Sequence, residues 1–167
     1  GKYVGGGMSF GAFGGRADIM SLFDPSQPNP LPHAGTFNNN TLTMCAGLAG
    51  LTEAATPEAV TALNHRGDIL RGRLNAIAEA AGATMQFTGI GSMMAVHFKK
   101  GPIRDEADAD SGNQDLKELF FFDLLDRGVY MARRGMIVLS LAQDEAAFAR
   151  LEGAVEDFVR LRRRFLV

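Results

Sequence analysis

Seven of the first fifteen residues are glycine (Gly1, Gly5, Gly6, Gly7, Gly11, Gly14 and Gly15), and no ordinary helix or packed strand tolerates that density. The segment must turn. Gly5-Gly6-Gly7 lets the backbone pass close to a flat object or another chain, and Lys2 at the mouth of that turn can present its amine there, as a Schiff-base lysine must. A glycine-rich turn with an exposed lysine is the plain alternative. A nucleotide loop is excluded by spacing, because Lys2 precedes the glycines, no Gly-Lys-Ser/Thr occurs, and no Gly-x-Gly-x-x-Gly opens a helix. The chain begins on Gly rather than Met, which raises the expectation of a cut through a functional loop.

Composition bounds the rest. At 167 residues, 46% hydrophobic and 22% charged, the chain has the make-up of one ordinary domain or two small ones. A net charge of −2 provides no basic field for a nucleic-acid backbone, so no nucleic-acid partner is expected. Cys45 is the one cysteine, which allows neither an internal disulfide nor a cysteine metal cluster and points to a reducing compartment, the cytoplasm by default. On an apolar helix it reads as a small core residue. No apolar run nears the ~18 residues of a membrane span, so no membrane partner is expected. His33, His65 and His97 lack metal-ligand spacing, are expected at the surface or locally bonded, and leave no metal site.

Periodicity divides the chain unevenly. Ala17 to Phe23 reads as a short helix stopped by Asp24-Pro25, and Pro25, Pro28, Pro30 and Pro32 make a rigid loop. A helix is predicted from about Leu42 to Ala55, apolar nearly all round and therefore buried. Thr56-Pro57-Glu58 starts a long helix, with Leu63, Leu70, Leu74, Ile77, Ala78 and Ala81 at helical spacing up to Gly82. Strands are predicted at Met85 to Thr88 and Met93 to Phe98, an exposed loop from Gly101 to Asn113, and a helix through Leu116 and Leu124. Further strands are expected at Val129 to Ala132 and Met136 to Leu141, then a helix capped by Asp144.

After residue 82 the order strand, strand, helix, strand, strand, helix predicts a small two-layer α/β domain on a mainly antiparallel sheet. Residues 1 to 60 would bury too little to stand alone, so they are expected to be the trailing part of a larger, incomplete domain. The helix of 57–82 joins that part to the small C-terminal domain, 83–167.

Two more constellations carry chemistry. His33-Ala34-Gly35-Thr36-Phe37-Asn38-Asn39-Asn40-Thr41 leads into a helix, where a hydroxyl and successive N–H groups can take a phosphate or can simply form an Asn-rich capping turn. Arg133-Arg134-Gly135 precedes an apolar strand, where an arginine can offer two parallel bonds to a carboxylate or stay a solvated surface group. Arg160, Arg162, Arg163 and Arg164 read as a solvated helix end, and Met85, Met93 and Met94 as core filling.

Taken in order, Gly-Lys-x-x-Gly-Gly-Gly, Gly-Ala-Phe-Gly-Gly-Arg and Ala-Gly-Thr-Phe-x-x-Asn resemble the class III aminotransferases of the pyridoxal-phosphate (PLP) fold type I superfamily. The chain is similar to glutamate-1-semialdehyde 2,1-aminomutases and closer still to the β-amino-acid (β-phenylalanine-type) aminotransferases. Gly-Met-Ser-Phe-Gly at 7–11, Thr-Phe-Asn-Asn-Asn at 36–40 and Arg-Gly before Leu-Ser-Leu at 134–141 favour the latter. Aminomutases usually carry Pro in place of Ser9 and a Leu-Ser-Gly-Asn-Pro pattern at Phe37 to Thr41.

The resemblance implies an α/β fold, the C-terminal part of a PLP-dependent transferase, and transfer of an amino group from a (β-)amino acid to a 2-oxo acid such as 2-oxoglutarate. It implies an internal aldimine between PLP and Lys2, whose amine, made less basic by its surroundings, would then shuttle the substrate proton. It implies further that Gly35 and Thr36 bind the cofactor phosphate of the neighbouring subunit in a homodimer and that Arg134, next to the glycine of the family pattern, holds a substrate carboxylate. The segments supplying the partner of the pyridine nitrogen and the ring-stacking aromatic are absent, so the 167 residues alone are expected to be inactive. An aminomutase, an isomerase moving the amino group within one molecule, is the alternative within the superfamily. A non-catalytic fragment or interaction module is the alternative outside it.

Overall fold

The computed structural model describes residues 5, 7–35 and 40–167. The chain divides into two compact units, Gly1–Pro57 and Glu58–Val167.

In the first unit, helix α1 (Ala17–Met20) tightens into a 3₁₀ turn at Ser21–Phe23, and Asp24 ends it by accepting the Ser26 N–H at 2.9 Å. Helix α2 (Thr41–Ala49) is capped by Asn40, whose Oδ1 accepts the Thr43 N–H at 3.1 Å. Its end widens over Gly50–Ala54, where the Ala55 N–H reaches back five residues to the Gly50 carbonyl. The expectation that this helix is buried all round fails. Only Thr43 and Gly47 are buried, Gly47 beneath the Phe10 ring, while Leu42, Leu48 and Leu51 are exposed. Cys45 is exposed with them and is no core residue. The reason is coverage: the described residues of its unit bury only the Thr43 and Gly47 positions of the helix.

The second unit opens on α3 (Pro57–Ala80), whose buried Leu63, Gly67, Leu70, Leu74 and Ala78 form one stripe. Gly82, at φ +67°, ends it in the left-handed turn that glycine supplies. Strands β1 (Gln86–Ile90), β2 (Met93–His97) and β3 (Met136–Val138) form an antiparallel sheet in the order β1-β2-β3, with Gln86 opposite His97 and Met94 opposite Ile137. Side chains on α3 hold the β1–β2 hairpin by its backbone. Asn75 Oδ1 accepts the Phe87 N–H at 2.7 Å and its Nδ2 donates to the Phe87 carbonyl, while Asp68 and Asn64 accept the N–H groups of Gly91 and Ser92. The approach is close enough that a Cβ on Gly67 would stand 2.2 Å from the Gly91 carbonyl oxygen.

Phe87, Met94, Val96 and Ile137 put one face of the sheet into the core, and Ile90, Met93, Met136 and Val138 leave the other exposed. Met93 is thus not core filling, unlike Met85 and Met94, because the period of two turns it outward. Helix α5 (Gln114–Asp126), capped by Asn113, and α6 (Glu145–Leu161), capped by Asp144, complete the core. At its centre the Phe120 ring lies 4.9 Å from that of Phe158 and 5.8 Å from that of Phe98, both edge-on.

Three expectations need correction. The loop of 101–113 contains a short helix, α4 (Glu106–Asp110), which Asp105 caps by accepting the Asp108 N–H at 2.8 Å. Residues 129–132 form no strand, and the last strand is shorter than predicted, because Gly135 turns the chain and the bonds across that turn, Gly135 N–H to the Ala132 carbonyl and Ala132 N–H to the Met136 carbonyl, are too few for a ladder. Arg162 is not a solvated helix end. Between α6 and the short α7 (Arg163–Leu166), its Nε and Nη2 bond both oxygens of buried Asp123 at 2.8 and 3.0 Å. Among the described residues no helix is long and apolar enough to cross a membrane.

Candidate active site

Lys2 and Thr36, the residues on which the aldimine and phosphate expectations rest, lie outside the described residues. Their flanks are described. Met8 N–H bonds the Gly5 carbonyl at 2.8 Å across a turn, with Gly7 at φ +88°, so the glycine cluster does turn as its composition demands. Met8, Ser9 and Phe13 from this segment and His33, Asn40 and Thr43 from the second motif line one cavity of about 900 Å³. The Phe13 ring meets the His33 ring edge-on at 4.8 Å. Described residues that flank the two motifs, some thirty positions apart, therefore line one cavity.

The described part of that site suits an anion. Asn40 Oδ1 occupies the Thr43 N–H, and the first intrahelical bond runs from Met44 N–H to the Asn40 carbonyl at 2.9 Å. The N–H groups of Thr41 and Leu42 have no acceptor within the helix, and the dipole adds partial positive charge at the same end. A phosphate fits this chemistry.

Arg134 is in the second unit, on the turn before β3. Its neighbour Arg133 is engaged, paired with Glu118 and lying 5.7 Å from the Phe122 ring centroid. Arg134 is exposed, its Nη2 3.5 Å from Met136 Sδ, and no carboxylate among the described residues pairs with it. A thioether is a weak acceptor, so the guanidinium keeps its donors for a ligand. It borders an apolar cavity of about 320 Å³ that Tyr130, Ile137 and Phe148 help to line.

Sequence reasoning missed Lys117 and the load on His97. Lys117 lies with its Cδ 3.1 Å from where a Cβ of Gly135 would stand, a contact across eighteen residues that no local pattern signals. His97 is 7% exposed, with Nε2 3.0 Å from Thr88 Oγ1 and Nδ1 buried without a partner. Burial, with the charges of Lys117 and Lys99 added, pushes its pKa below the usual histidine value. Among the described residues no cluster of His, Cys, Asp and Glu could hold a metal ion.

The chain is similar to known proteins. The sequence profile of a family described as aminotransferase class-III matches residues 1–145. The chain is 54% identical over 159 residues to the β-phenylalanine transaminase of Variovorax paradoxus, covering 95% of this chain and 36% of that protein. It is 34% identical over 160 residues to a glutamate-1-semialdehyde 2,1-aminomutase of Desulforamulus reducens, covering 96% and 35%. The crystal structure of the β-phenylalanine aminotransferase from Variovorax paradoxus superposes with a TM-score of 0.93, at 52% identity over 99% of this chain and 38% of that one. The chain thus spans a little over a third of the length of the relatives it matches.

Proposed function

The chain belongs to the class-III aminotransferase family, a family of PLP-dependent enzymes with the mixed α/β fold described above, and on that premise we propose that it serves transfer of an amino group from a β-amino acid to a 2-oxo acid such as 2-oxoglutarate. The observation that carries the reading is the 54% identity to a β-phenylalanine transaminase over 159 residues. In this reading residues 1–60 belong to the cofactor-binding large domain, 57–82 connect, and 83–167 form the small C-terminal domain. A chain of the relatives' length that includes these residues is called the full-length enzyme below.

Each residue has a role that its chemistry supports. Lys2 would hold PLP through Nζ, and its amine would carry the proton between the reacting carbons. Thr36 and Gly35, which precede α2 in the sequence, hold the cofactor phosphate of the neighbouring subunit, a role that the first-turn N–H groups of α2, without acceptors in the helix, support. Arg134 binds a substrate carboxylate in a planar two-bond fit, and its lack of any other carboxylate partner among the described residues supports that. When bound, the cofactor ring draws electrons from the bond that breaks. The exposed leucines of α2 favour a homodimer over a monomer, and the single cysteine favours the cytoplasm.

The test is direct. The full-length enzyme with β-phenylalanine and 2-oxoglutarate should form glutamate, and borohydride reduction should leave the cofactor mass on the Lys2 peptide. Absence of glutamate sinks the transaminase reading, and absence of the adduct sinks the role of Lys2. The aminomutase relative sustains a second reading, an isomerase acting within glutamate semialdehyde, which turnover of that substrate without an acceptor would select.

A further inference from the structure

Gln114, Lys117 and Glu118 of α5 and Arg133 and Arg134 of the β3 turn line a cavity of about 340 Å³. Three cations face one carboxylate there, and the carboxylate is spent, because Glu118 pairs with Arg133. Gln114 is spent as well, its Nε2 donating to the carbonyls of Asp110 and Gly112, each at 3.0 Å. Two cations remain without a carboxylate among the described residues, Lys117 and Arg134.

The backbone forces these two together. Gly135 is at φ +94°, and a Cβ there would stand 3.1 Å from both Lys117 Cδ and the Val96 carbonyl oxygen. Glycine is thus required twice at this position, for the turn and for the room that the lysine stem occupies. The stem is half-buried against the residue that follows Arg134, so Lys117 is not a side chain sweeping through solvent. Its charge is also felt at buried His97, on the neighbouring strand.

We propose that Lys117 and Arg134 form a site for a dianion, Arg134 taking one carboxylate and Lys117 the second, which makes the acceptor a dicarboxylic rather than a monocarboxylic 2-oxo acid. The inference rests on the reading of Arg134 as a carboxylate ligand and adds the residue that sets the class of acceptor. Its physical basis is charge balance: two unpaired cations in one cavity repel, a monoanion neutralises one of them, and a dianion neutralises both. A second charge-assisted bond of this kind is worth about tenfold in affinity or more.

The experiment uses the full-length holoenzyme and two unreactive acids, glutarate with two carboxylates and butyrate with one, titrated by calorimetry. The wild type should bind glutarate about tenfold more tightly than butyrate. Lys117→Met keeps the apolar stem against Gly135 and should erase that margin, whereas Lys117→Arg keeps the charge and should retain it. In turnover, Lys117→Met should lower the preference for 2-oxoglutarate over pyruvate, as the ratio of kcat/KM values, by the same factor. An unchanged margin in Lys117→Met overturns the proposal, and so does an equal loss of both acids, which would mark a merely structural role. Arg134→Gln separates the two layers of the argument. If it weakens both acids while Lys117→Met changes nothing, only the dianion site falls, and if it weakens neither, the carboxylate role of Arg134 falls too.

Discussion

The two units put their chemistry on opposite kinds of foundation. Glu58–Val167 contains every one of the buried hydrophobic side chains of the described core, from Leu63 to Leu166, and Arg134 stands on a turn braced by that core. Gly1–Pro57 buries little beyond Gly5, Thr43 and Gly47 among its described residues, and it carries the lysine and phosphate motifs. A glycine-rich segment with no core of its own depends on surfaces outside its unit to hold a catalytic geometry. Arg134, proposed to bind the substrate carboxylate, is therefore scaffolded locally, whereas the residues proposed to bind the cofactor depend on assembly.

The sharpest way to break this contrast is to separate the units. A polypeptide of residues 58–167 should unfold cooperatively in urea, and one of residues 1–57 should show no cooperative transition by circular dichroism. Cooperative unfolding of the shorter piece would abolish the distinction. Next in size is Lys2→Ala in the full-length enzyme, which should cost on the order of 10³-fold or more in kcat, because proton transfer at the reacting carbons loses its carrier. The helical signal should not change, since Lys2 is in a turn-forming segment.

Within the second unit, Phe120→Ala should cost about 3–5 kcal/mol by urea denaturation, since it removes a fully buried ring from among Phe87, Phe98 and Phe158. A loss below about 1 kcal/mol would mean that the aromatic cluster is not the centre of the core. Asp123→Asn should lower the melting temperature by less than Phe120→Ala does. It weakens the two bonds to Arg162, but that side chain is 37% exposed and water takes up its guanidinium.

How much of this was legible follows the same division. The stripe of α3, the cap at Asp144 and the β1–β2 pair were all readable, since local periodicity and capping chemistry fix them. Cys45 and Leu48 were misjudged because apolar composition reports what a helix could bury and not what its unit provides. The strand expected at 129–132 failed for a related reason: Val129 to Ala132 has strand-like residues, but the turn at Gly135 permits two bonds at Ala132 instead of a ladder. Lys117 beside Gly135 and Arg162 on Asp123 bring together residues 18 and 39 positions apart, and no pattern within an element encodes such pairs. The glycine and arginine motifs were legible as chemistry only through their order along the chain.

The smallest expected effect concerns His97, and it connects the core to the carboxylate site. Its neutral form is favoured in the folded state, by burial first and then by the positive charges of Lys117 and Lys99, while Thr88 Oγ1 bonds Nε2 across the strands. Its folded pKa therefore lies below the unfolded value of about 6.5. Between the two values the unfolded chain binds a proton that the folded chain does not, so stability rises with pH through that window. It is complete above about 6.5 and is lost as pH falls toward the folded pKa. The carboxylates of Asp108 and Asp157 act in a separate range. Their cationic and N–H partners depress them, so their contribution is present above the usual carboxylate value and disappears as pH falls through their lowered ones. Urea midpoints of the 58–167 polypeptide should thus fall in two steps on acidification, and His97→Gln should remove the upper step and leave the lower. Lys117→Met should shrink the upper step without removing it, since burial and Lys99 remain. An upper step unaltered by Lys117→Met would mean that the lysine charge points away from the sheet and from Arg134.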